Sequence, residues 1–487
     1  MKIISNLILL GSICMFPLIS YAQFTKGLSY RTETCVNFSG GEHTPFWLTA
    51  NKQGLSSIEK NNGYLRAGVF RELESDKRFS YAFGADLAVA YNFTSTFVVQ
   101  QLYADLKYRC LGLSIGSKER YSEFNNPLLS SGGLTFSGNA RPIPQVRIGI
   151  PEYTFVPGTK GWLAFKGHIA YGMFTDDGWQ KDFVVPGGKH TEHVLYHSKD
   201  LYVKIGNREK FPLIFEGGLE MAAQFGGNAF IGDKKTDMPN GIKDFFKVFI
   251  PSGGSSGTPM GEQTNIYGNH LGSWNFSLTW YAPKDWTIRP YYEHYFEDHS
   301  QMFGEYGWKD CLVGVEITFP KNPIVSSFVY EYISTKDQTG PIYWDHTPEI
   351  PEQVSGADNY YNHGIYTGLQ QWGMGIGNPL VMSPIYNNDG EIVFKSNRLQ
   401  GHHFGIMGTP CVDLQYRVLL SITRNWGTYG VPFYEIKKNG NALVELIYTP
   451  HQLKGWDFTG SLGIDRGAML GKSAGGMLTI RKTGWIR

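Results

Sequence analysis

The residues best suited to chemistry in this 487-residue chain are concentrated between positions 335 and 391. Aromatic side chains there alternate with carboxylates, amides and imidazoles: Tyr343, Trp344, Asp345, His346, Asp358, Tyr360, Tyr361, Asn362, His363, Tyr366 and Trp372. Sugar-binding sites combine aromatic faces, which stack on sugar rings, with polar groups that hydrogen-bond the hydroxyls. The segment therefore predicts a glycan-binding loop. The alternative is that these aromatic residues anchor the loop at membrane headgroups or pack it into a barrel mouth.

A metal site and a catalytic site are the other candidates. His190, His193 and His197 lie close in sequence to Asp176 and Asp177. Only His193 and His197 would share a strand face, and no carboxylate has convincing spacing for a metal ligand. The chain also lacks a nucleophile elbow or another catalytic signature. The sequence therefore predicts no metal, no cofactor and no catalysis.

The elements that must position the loop alternate in hydropathy with a period of two. In the clearest example, Val412, Leu414, Tyr416, Val418, Leu420 and Ile422 form an apolar row, while Asp413, Gln415, Arg417, Ser421 and Thr423 form a polar row. Similar rows recur in 79–91 and 456–465. Many strands with one apolar and one polar face predict an all-β fold, a transmembrane antiparallel β-barrel with a lipid-facing outside and a wet inside.

About 18 strands are predicted in this way, with turn residues between them. They lie near 27–38, 63–74, 79–92, 98–109, 112–118, 145–156, 161–174, 192–205, 212–226, 270–281, 285–297, 308–319, 323–334, 392–407, 411–424, 441–449, 455–466 and 475–486. Tight turns such as Ser75–Lys77 and Gly408–Pro410 alternate with long connections, which include 425–440. Short periplasmic turns and long extracellular loops are typical of outer-membrane barrels, whereas a soluble sandwich or propeller does not explain them.

The longest predicted loops are 119–144, 227–269 and 335–391. A barrel of about 18 strands encloses a channel unless side chains or loops fill it. These loops are therefore candidate plugs or binding surfaces. The inward row of 285–297, formed by Tyr291, Glu293, Tyr295 and Glu297, predicts a lumen rich in acids and hydroxylated aromatic rings.

The composition and the N-terminus agree with an outer-membrane address in a Gram-negative cell. Residues 1–22 have the features of a Sec signal peptide, so the predicted barrel comprises residues 23–487. A formal net charge of +1 argues against nucleic-acid binding. The 59 glycines and 15% aromatic residues fit barrel strands with aromatic girdles. We expect a monomer surrounded by outer-membrane lipid.

Two stretches of the sequence resemble the capsule assembly protein Wzi family. The first is 119–147, which contains Asn139, Ala140, Arg141 and Pro142 in an Asn/Asp-Ala-x-Pro arrangement. The second runs from Asp358-Asn-Tyr-Tyr-Asn-His-Gly-Ile-Tyr through Gln371-Trp372 to Gly377-Asn-Pro-Leu380. The resemblance covers essentially the whole chain after residue 22, and the order of the motifs makes it specific.

This resemblance implies an 18-stranded outer-membrane barrel, closed by its loops, that acts as a surface lectin and holds capsular polysaccharide on the cell. It also adds Asn139 and Arg141 to the candidate ligand-binding residues. The chain departs from the enterobacterial members, which carry a helical periplasmic segment before the barrel. Here the first predicted strand follows Ala22 so closely that we expect no such segment.

Three functions compete at this point. The first is a non-catalytic barrel that binds capsular polysaccharide or exopolysaccharide. The second is a diffusion channel, because the predicted barrel is wide and its lumen polar. The third is an outer-membrane enzyme acting on lipid or glycan, for which the only motive is the presence of acids and histidines.

Overall fold

The computed structural model describes residues 27–122, 124–264, 266–297, 299–304, 307–338 and 358–486. Within them, 18 antiparallel strands form one closed sheet, as predicted. The barrel strands are β1 Leu28–Gly41, β2 Asn61–Arg71, β3 Phe79–Tyr91, β4 Phe97–Tyr108, β5 Leu111–Ser117, β6 Gln145–Phe155, β7 Leu163–Met173, β8 Leu195–Ile205, β9 Leu213–Phe225, β10 Asn269–Ala282, β11 Trp286–Phe296, β12 Cys311–Thr318, β13 Ser327–Ser334, β14 Arg398–Cys411, β15 Leu414–Gly427, β16 Pro432–Tyr448, β17 Trp456–Gly467 and β18 Gly471–Trp485. The predicted signal peptide lies outside the described residues.

The barrel closes where its first and last strands meet. Strand β1 pairs with β2 on one side and with β18 on the other, from Ser29 opposite Trp485 to Gly41 opposite Ser473. Closure leaves the sheet without an exposed edge, which a membrane-spanning sheet requires.

The alternation in sequence corresponds to the two faces of the wall. On β15, Leu420 and Ile422 are 40% and 51% exposed, whereas Ser421 and Thr423 are 0% and 4% exposed. The exposed row faces lipid, where a charged residue at mid-membrane would cost roughly 2–4 kcal/mol. Exposed aromatic side chains mark both ends of the wall: Phe38, Tyr91 and Phe97 at one rim, and Phe79, Tyr108, Phe155 and Trp485 at the other.

Several predicted boundaries were wrong. The turn between β14 and β15 is formed by Val412 and Asp413, because Cys411 pairs with Leu414, so Gly408–Pro410 belongs to β14. Val412 is 93% exposed at the tip of that turn and does not belong to the lipid-facing row. The predicted connection 425–440 shrinks to four residues, because β15 continues to Gly427 and β16 starts at Pro432.

The two rims carry different connections. At one rim, every connection has eight residues or fewer. The other rim carries the long loops 42–60, 118–144, 174–194, 226–268 and 335–397. Long loops identify the extracellular rim of an outer-membrane barrel. The alternation is less regular than predicted, because the outer connections 92–96, 428–431 and 468–470 are also short.

The long loops carry small secondary elements of their own. Their helices are Phe46–Thr49, Asp177–Phe183, Ile242–Phe249, Met260–Thr264 and His299–Met302, with a 3-10 turn at Pro384–Tyr386. Short strands His190–Glu192, Asn228–Ile231 and Lys234–Asp237 form one small sheet, and Gln370–Gln371 pairs with Met374–Gly375. In the described part of the chain no helix is both long and apolar enough to cross a bilayer.

Candidate functional site

The segment 118–144, which connects β5 to β6, lies inside the barrel; we call it the plug segment. Its Leu129 and Leu134 are fully buried. The Leu129 carbonyl accepts a hydrogen bond from the ring of His403 on β14 at 2.8 Å, and the Leu134 amide donates to Glu293 on β11 at 2.9 Å. Because β11 and β14 belong to the far side of the barrel, the plug segment spans the lumen.

Glu331 on β13 fastens the plug segment to this far wall. Its carboxylate accepts hydrogen bonds from the Ser130 hydroxyl at 2.5 Å, from the Ser131 amide and hydroxyl at 2.8 and 2.6 Å, and from Tyr291 at 2.5 Å. A buried carboxylate is strongly destabilising unless donors surround it. Three of these four donors come from the plug, so the wall acid and the plug satisfy each other.

A second segment, 358–397, lies against the plug segment; we call it the cover segment. The Tyr361 hydroxyl donates to the Leu134 carbonyl at 2.5 Å, and the side-chain amide of Asn378 donates to the Gly132 carbonyl at 2.6 Å. These bonds join two stretches more than 200 residues apart in the chain. Plug and cover therefore form one packed body within the barrel.

Further loops join this body. From loop 42–60, the Asn51 side chain donates to the Ser131 carbonyl at 2.9 Å. From loop 174–194, the buried Asp176 carboxylate accepts hydrogen bonds from the cover segment, as described below. Loops from different sectors of the rim thus pack into the lumen, and the plug segment reaches the periplasmic half, where the Phe124 carbonyl accepts a hydrogen bond from Arg289 at 2.5 Å. The lengths of the predicted loops 119–144 and 335–391 suggested such filling.

The structure separates the predicted glycan-binding residues into three groups. Tyr343, Trp344, Asp345 and His346 lie outside the described residues. The second group is buried among the loops and consists of Asp358, Tyr360, Tyr361, Asn362 and Asn139. The third group borders the packed loops: His363 and Trp372 are half-buried, and Arg141, which is buried, packs on the Trp372 ring.

The buried group is engaged with the protein itself. Tyr360 donates to Asp310 at 2.9 Å, and Asn362 exchanges two hydrogen bonds of 2.9 Å with the backbone of Phe394. Asn139 donates to the Gly375 carbonyl at 3.0 Å. These contacts correspond to the packing role that the sequence left open for the aromatic loop, and a direct contact of these residues with a glycan stays a prediction.

Trp372 is presented differently, at the tip of a two-residue turn. Gln371 pairs with Met374, so that Trp372 and Gly373 form the turn, with φ angles of 54° and 81°. Positive φ at both turn residues is the geometry of tight hairpins, and Asn or Gly normally occupies it. A bulky residue there costs of order 1–3 kcal/mol, and such strain is concentrated at functional sites.

Polar groups surround the Trp372 ring. The guanidinium carbon of Arg141 lies 4.5 Å from the ring centroid, and the indole nitrogen donates to the Thr175 hydroxyl at 3.3 Å. Arg141 also donates to Thr94 in the short outer connection 92–96 at 2.7 Å. Burial lowers the pKa of Arg141 to about 10, which still leaves the group charged at neutral pH. Trp372, Arg141, Thr175 and Thr94 are named the mouth cluster below.

Asp176 holds the turn of the mouth cluster in place. Its carboxylate accepts hydrogen bonds from the Gln370 side chain at 2.9 Å, from the Trp372 amide at 3.1 Å and from Gln180 at 3.1 Å. The side chain is fully buried, and this desolvation raises its pKa to about 6. The charge of Asp176 therefore changes near neutral pH, directly beneath Trp372.

The histidines considered for a metal site are dispersed. His193 lies in a turn with a φ of 55° and pairs with Asp177 at 3.2 Å, so it does not share a strand face with His197 as predicted. His197 is buried on β8 and bonds the Ala170 carbonyl at 2.9 Å. Among the residues that the structure describes, no group of three or more His, Cys, Asp or Glu side chains is arranged to hold a metal.

The loops leave a space within the lumen. A cavity of about 440 Å³, the lumenal chamber, lies along the inner wall of β4 to β9 beneath the plug segment. Its lining includes Lys107, Arg120, Arg147, Asp200, Tyr202 and Glu220. Charges of both signs and aromatic rings therefore face this space, in line with the predicted wet lumen.

Sequence reasoning missed the residues that hold the site together. Glu331 is a lone acid between Val329 and Ile333 on the inward row of β13, and such an acid in an apolar row signals a buried partner. Asp176 attracted attention only as a neighbour of histidines. Its true partner, the turn at Gln370, is 194 residues away in sequence. Glu297, predicted to line the lumen, instead follows β11 and accepts the Asn359 amide at 2.7 Å.

The fold and the packed loops define a class of protein: an outer-membrane β-barrel of 18 strands whose lumen is occupied by its own extracellular loops. The chain is similar to the solved structure of Wzi from Escherichia coli, an outer-membrane protein involved in group 1 capsule assembly and described as a carbohydrate-binding β-barrel. The two share 14% identity, with 94% of this chain and 85% of that chain covered and a TM-score of 0.59.

A second similar structure is OccK3 (OpdO) from Pseudomonas aeruginosa, at 9% identity, 95% and 97% coverage and a TM-score of 0.46. No protein-family model matches the chain, and no curated protein sequence matches it either. At these identities the likeness to Wzi concerns the fold.

Proposed function

We propose that this protein is a non-catalytic outer-membrane barrel that binds capsular polysaccharide or exopolysaccharide and holds it at the cell surface. The observation that carries the proposal is the mouth cluster. A strained tryptophan lies at the tip of a turn, above loops that pack into the lumen. The Arg141 guanidinium lies against its ring, the Thr175 hydroxyl accepts a hydrogen bond from its indole nitrogen, and the Thr94 hydroxyl is bonded to Arg141. The Trp372 ring also packs in part against the buried side chains of the loops, but a glycine would fit the backbone of the tip better, and a strained tryptophan there points to a ligand.

The chemistry of the mouth cluster suits a sugar. An indole ring can stack on the apolar face of a pyranose, and the Thr94 and Thr175 hydroxyls can exchange hydrogen bonds with its hydroxyl groups. Arg141 adds a charged donor for a sugar oxygen or a uronic acid carboxylate. The predicted contacts of Asn139 and of the 358–363 residues become indirect in this proposal, because these residues shape the turn and its support.

The carbohydrate binding described for Wzi supports the proposal at the level of a shared architecture. The packed loops support it as well, since a barrel whose own loops occupy its lumen is better suited to binding at its surface than to diffusion through the lumen. We propose a monomer with surface polysaccharide as the partner and outer-membrane lipid as its surroundings.

Glycan retention by purified protein tests this function. Native surface polysaccharide from the same cells is passed over immobilised wild-type protein, Trp372→Ala protein and Trp162→Ala protein. Trp162 lies in the periplasmic turn 156–162 and is 37% exposed, so it controls for general loss of an exposed tryptophan. We expect about tenfold weaker retention for Trp372→Ala only, since losing one stacked ring corresponds to about 1.4 kcal/mol. Equal retention by all three proteins would contradict the proposal.

The lumenal chamber favours a second candidate, a diffusion channel. The charged side chains along it could accompany small polar solutes if the plug and cover segments moved aside. Planar-bilayer recordings distinguish the two functions, because stable ohmic steps in the wild-type protein would favour a channel. We expect the wild-type protein to show none.

A further inference from the structure

The loop 226–268 reaches two places: its buried Glu262 pairs with His363 of the cover segment at 3.1 Å, whereas its helix Ile242–Phe249 lies over the lipid-facing side of the wall. On β7, β8 and β9 the exposed residues Ile169, Leu201 and Phe215 point outward, and so does every second residue counted from each of them. Near the outer rim the same outward rows become buried at His197, Met221, Ala223 and Phe225. Residues that point away from the lumen can be buried only by a part of the protein that packs outside the barrel.

The helix Ile242–Phe249 packs over these residues. Its Phe245 packs on the outward ring of Tyr171, with 5.0 Å between centroids, and its Phe245 carbonyl accepts the Tyr171 hydroxyl at 2.9 Å. Lys199, an outward residue of β8, donates to the Phe249 carbonyl at the end of the helix. The helix is therefore fixed against the outer wall near the extracellular rim.

The opposite side of this helix is apolar and uncovered. Ile242, Phe246 and Ile250 are 81%, 69% and 68% exposed, and their spacing of four residues places them on one face. Lys243 and Lys247 lie at the border of this face, one residue after each of the first two apolar residues. A helix with a buried face, an exposed apolar face and flanking lysines is typical of the membrane interface.

The neighbouring loop extends the apolar surface. In loop 297–310, Phe303 and Trp308 are 64% and 44% exposed. The same loop covers outward residues of the wall, because the Trp274 indole on β10 donates to the Met302 carbonyl at 2.7 Å and Tyr292 on β11 donates to the Trp308 carbonyl at 2.6 Å. The exposed apolar surface is thus continuous with the lipid-facing belt of β7 to β11.

We propose that the helix Ile242–Phe249 is an interfacial helix that inserts Ile242, Phe246 and Ile250 among the acyl chains of the outer leaflet. Lys243 and Lys247 then lie at the level of anionic lipid phosphates, which attract cationic side chains flanking an inserted apolar face. This surface is separate from the mouth cluster, so the inference goes beyond the proposed glycan binding and does not depend on it.

An environment-sensitive fluorophore tests the insertion. Cys110 and Cys411, the exposed thiols among the described residues, are replaced by serine, and Phe246→Cys is labelled in the full-length protein. The protein is reconstituted in vesicles of phosphatidylcholine, with and without phosphatidylglycerol. Leu201→Cys on the wall provides the lipid reference. Asp233→Cys, in the turn between the short strands Asn228–Ile231 and Lys234–Asp237, provides the aqueous reference.

We expect the label at 246 to emit at short wavelength, to be quenched by spin-labelled lipid as at 201, and to resist iodide. The double substitution Lys243→Gln, Lys247→Gln should weaken quenching in the anionic vesicles and leave it unchanged in phosphatidylcholine. Iodide quenching at 246 equal to that at 233 would overturn the proposal. Protection that depends on protein concentration and not on lipid would overturn it too, in favour of a second copy; heat-modifiability on gels confirms that each variant is folded.

Discussion

The plug segment and the helix Ile242–Phe249 of the loop 226–268 both belong to long extracellular connections, yet they pack on opposite sides of the wall. The plug segment enters the lumen and supplies donors such as Ser130 and Ser131 to a wall acid. The loop 226–268 crosses the outer wall and covers apolar residues such as Met221 and Phe225. The inner wall presents acids that need donors, and the outer wall presents apolar surface that needs a cover. The chemistry of a loop, and not its length, therefore decides which side of the wall it packs on.

Replacing Glu331, the wall acid that holds the plug segment, should have the largest effect on stability. Glu331→Ala leaves the Ser130, Ser131 and Tyr291 donors without their shared acceptor. We expect the barrel to lose roughly 3 kcal/mol or more of stability, since each unsatisfied buried donor costs about 1–3 kcal/mol. Unfolding in urea, followed by heat-modifiability on gels, measures the change. Glu435→Ala, at an exposed position of β16, is the control, and an identical midpoint for both variants would show that Glu331 does not hold the plug.

A wall glycine offers a smaller perturbation of the same contact. A Cβ atom at Gly405 would lie 2.3 Å from the Leu129 carbonyl oxygen, which is backbone of the plug segment. We expect Gly405→Ala to destabilise the protein by about 1–3 kcal/mol, because the packed plug must shift. Gly460→Ala is the matched control, since a Cβ there meets nothing within 4 Å. Faster hydrogen exchange in 118–144 should accompany the first substitution only; unchanged exchange would mean that the plug is loose already.

The mouth cluster separates function from stability. Trp372→Gly removes the ring but relieves the positive φ of 54° at the tip of the turn. We expect glycan retention to fall about tenfold while stability changes by less than about 1 kcal/mol, because the relieved strain offsets the lost partial packing of the ring. Retention assays and urea unfolding on the same preparation measure both. A loss of stability without loss of retention would assign Trp372 to packing and make the mouth cluster a structural feature.

The smallest expected effect concerns pH. The pKa of Asp176 is about 6 in the folded protein, above its ordinary value of 3.8, because the carboxyl group is buried. A raised pKa means that protonation favours the folded loops, so this contribution is fully present below about pH 4 and is lost as the pH rises through 6. Hydrogen exchange at 370–375 should therefore slow between pH 7 and pH 5, after correction for intrinsic rates. The Asp176→Asn variant should lack this dependence, and its persistence there would assign the effect to another group.

Much of the wall was predictable because the period of two is a local signal. The alternation around Leu420 and Ile422 identified a strand and its two faces before any partner strand was known. Turn positions were less predictable: Gly408 and Pro410 favoured a turn, but pairing between Cys411 and Leu414 extended the strand through them. Neighbouring strands determine such an extension, and sequence periodicity does not record them.

The site was less predictable because its contacts are long-range. The aromatic richness of 335–391 predicted a glycan-binding loop, which stays a prediction, and it did not distinguish Tyr361, which is buried, from Trp372, which is half-buried at the tip of a turn. That distinction depends on Asp176, Arg141 and the plug segment, which come from other loops. The pair Trp372-Gly373 was the one local signal, because a glycine there permits a two-residue turn.

The pairing of β1 with β18 has a consequence for how the protein is made. The ion pair between Glu33 and Arg481, at 2.6 Å, joins residues 448 positions apart. Until the last strand has been synthesised, β1 has an open edge of backbone donors and acceptors that can pair with another chain. Pairing of β1 with β18 is also expected late in folding, because bringing such distant residues together costs more chain entropy than forming a local hairpin. Biogenesis must therefore keep the first strand shielded from aggregation until its distant partner arrives, and a truncation within β18 should be far more harmful than one of equal length in an outer loop.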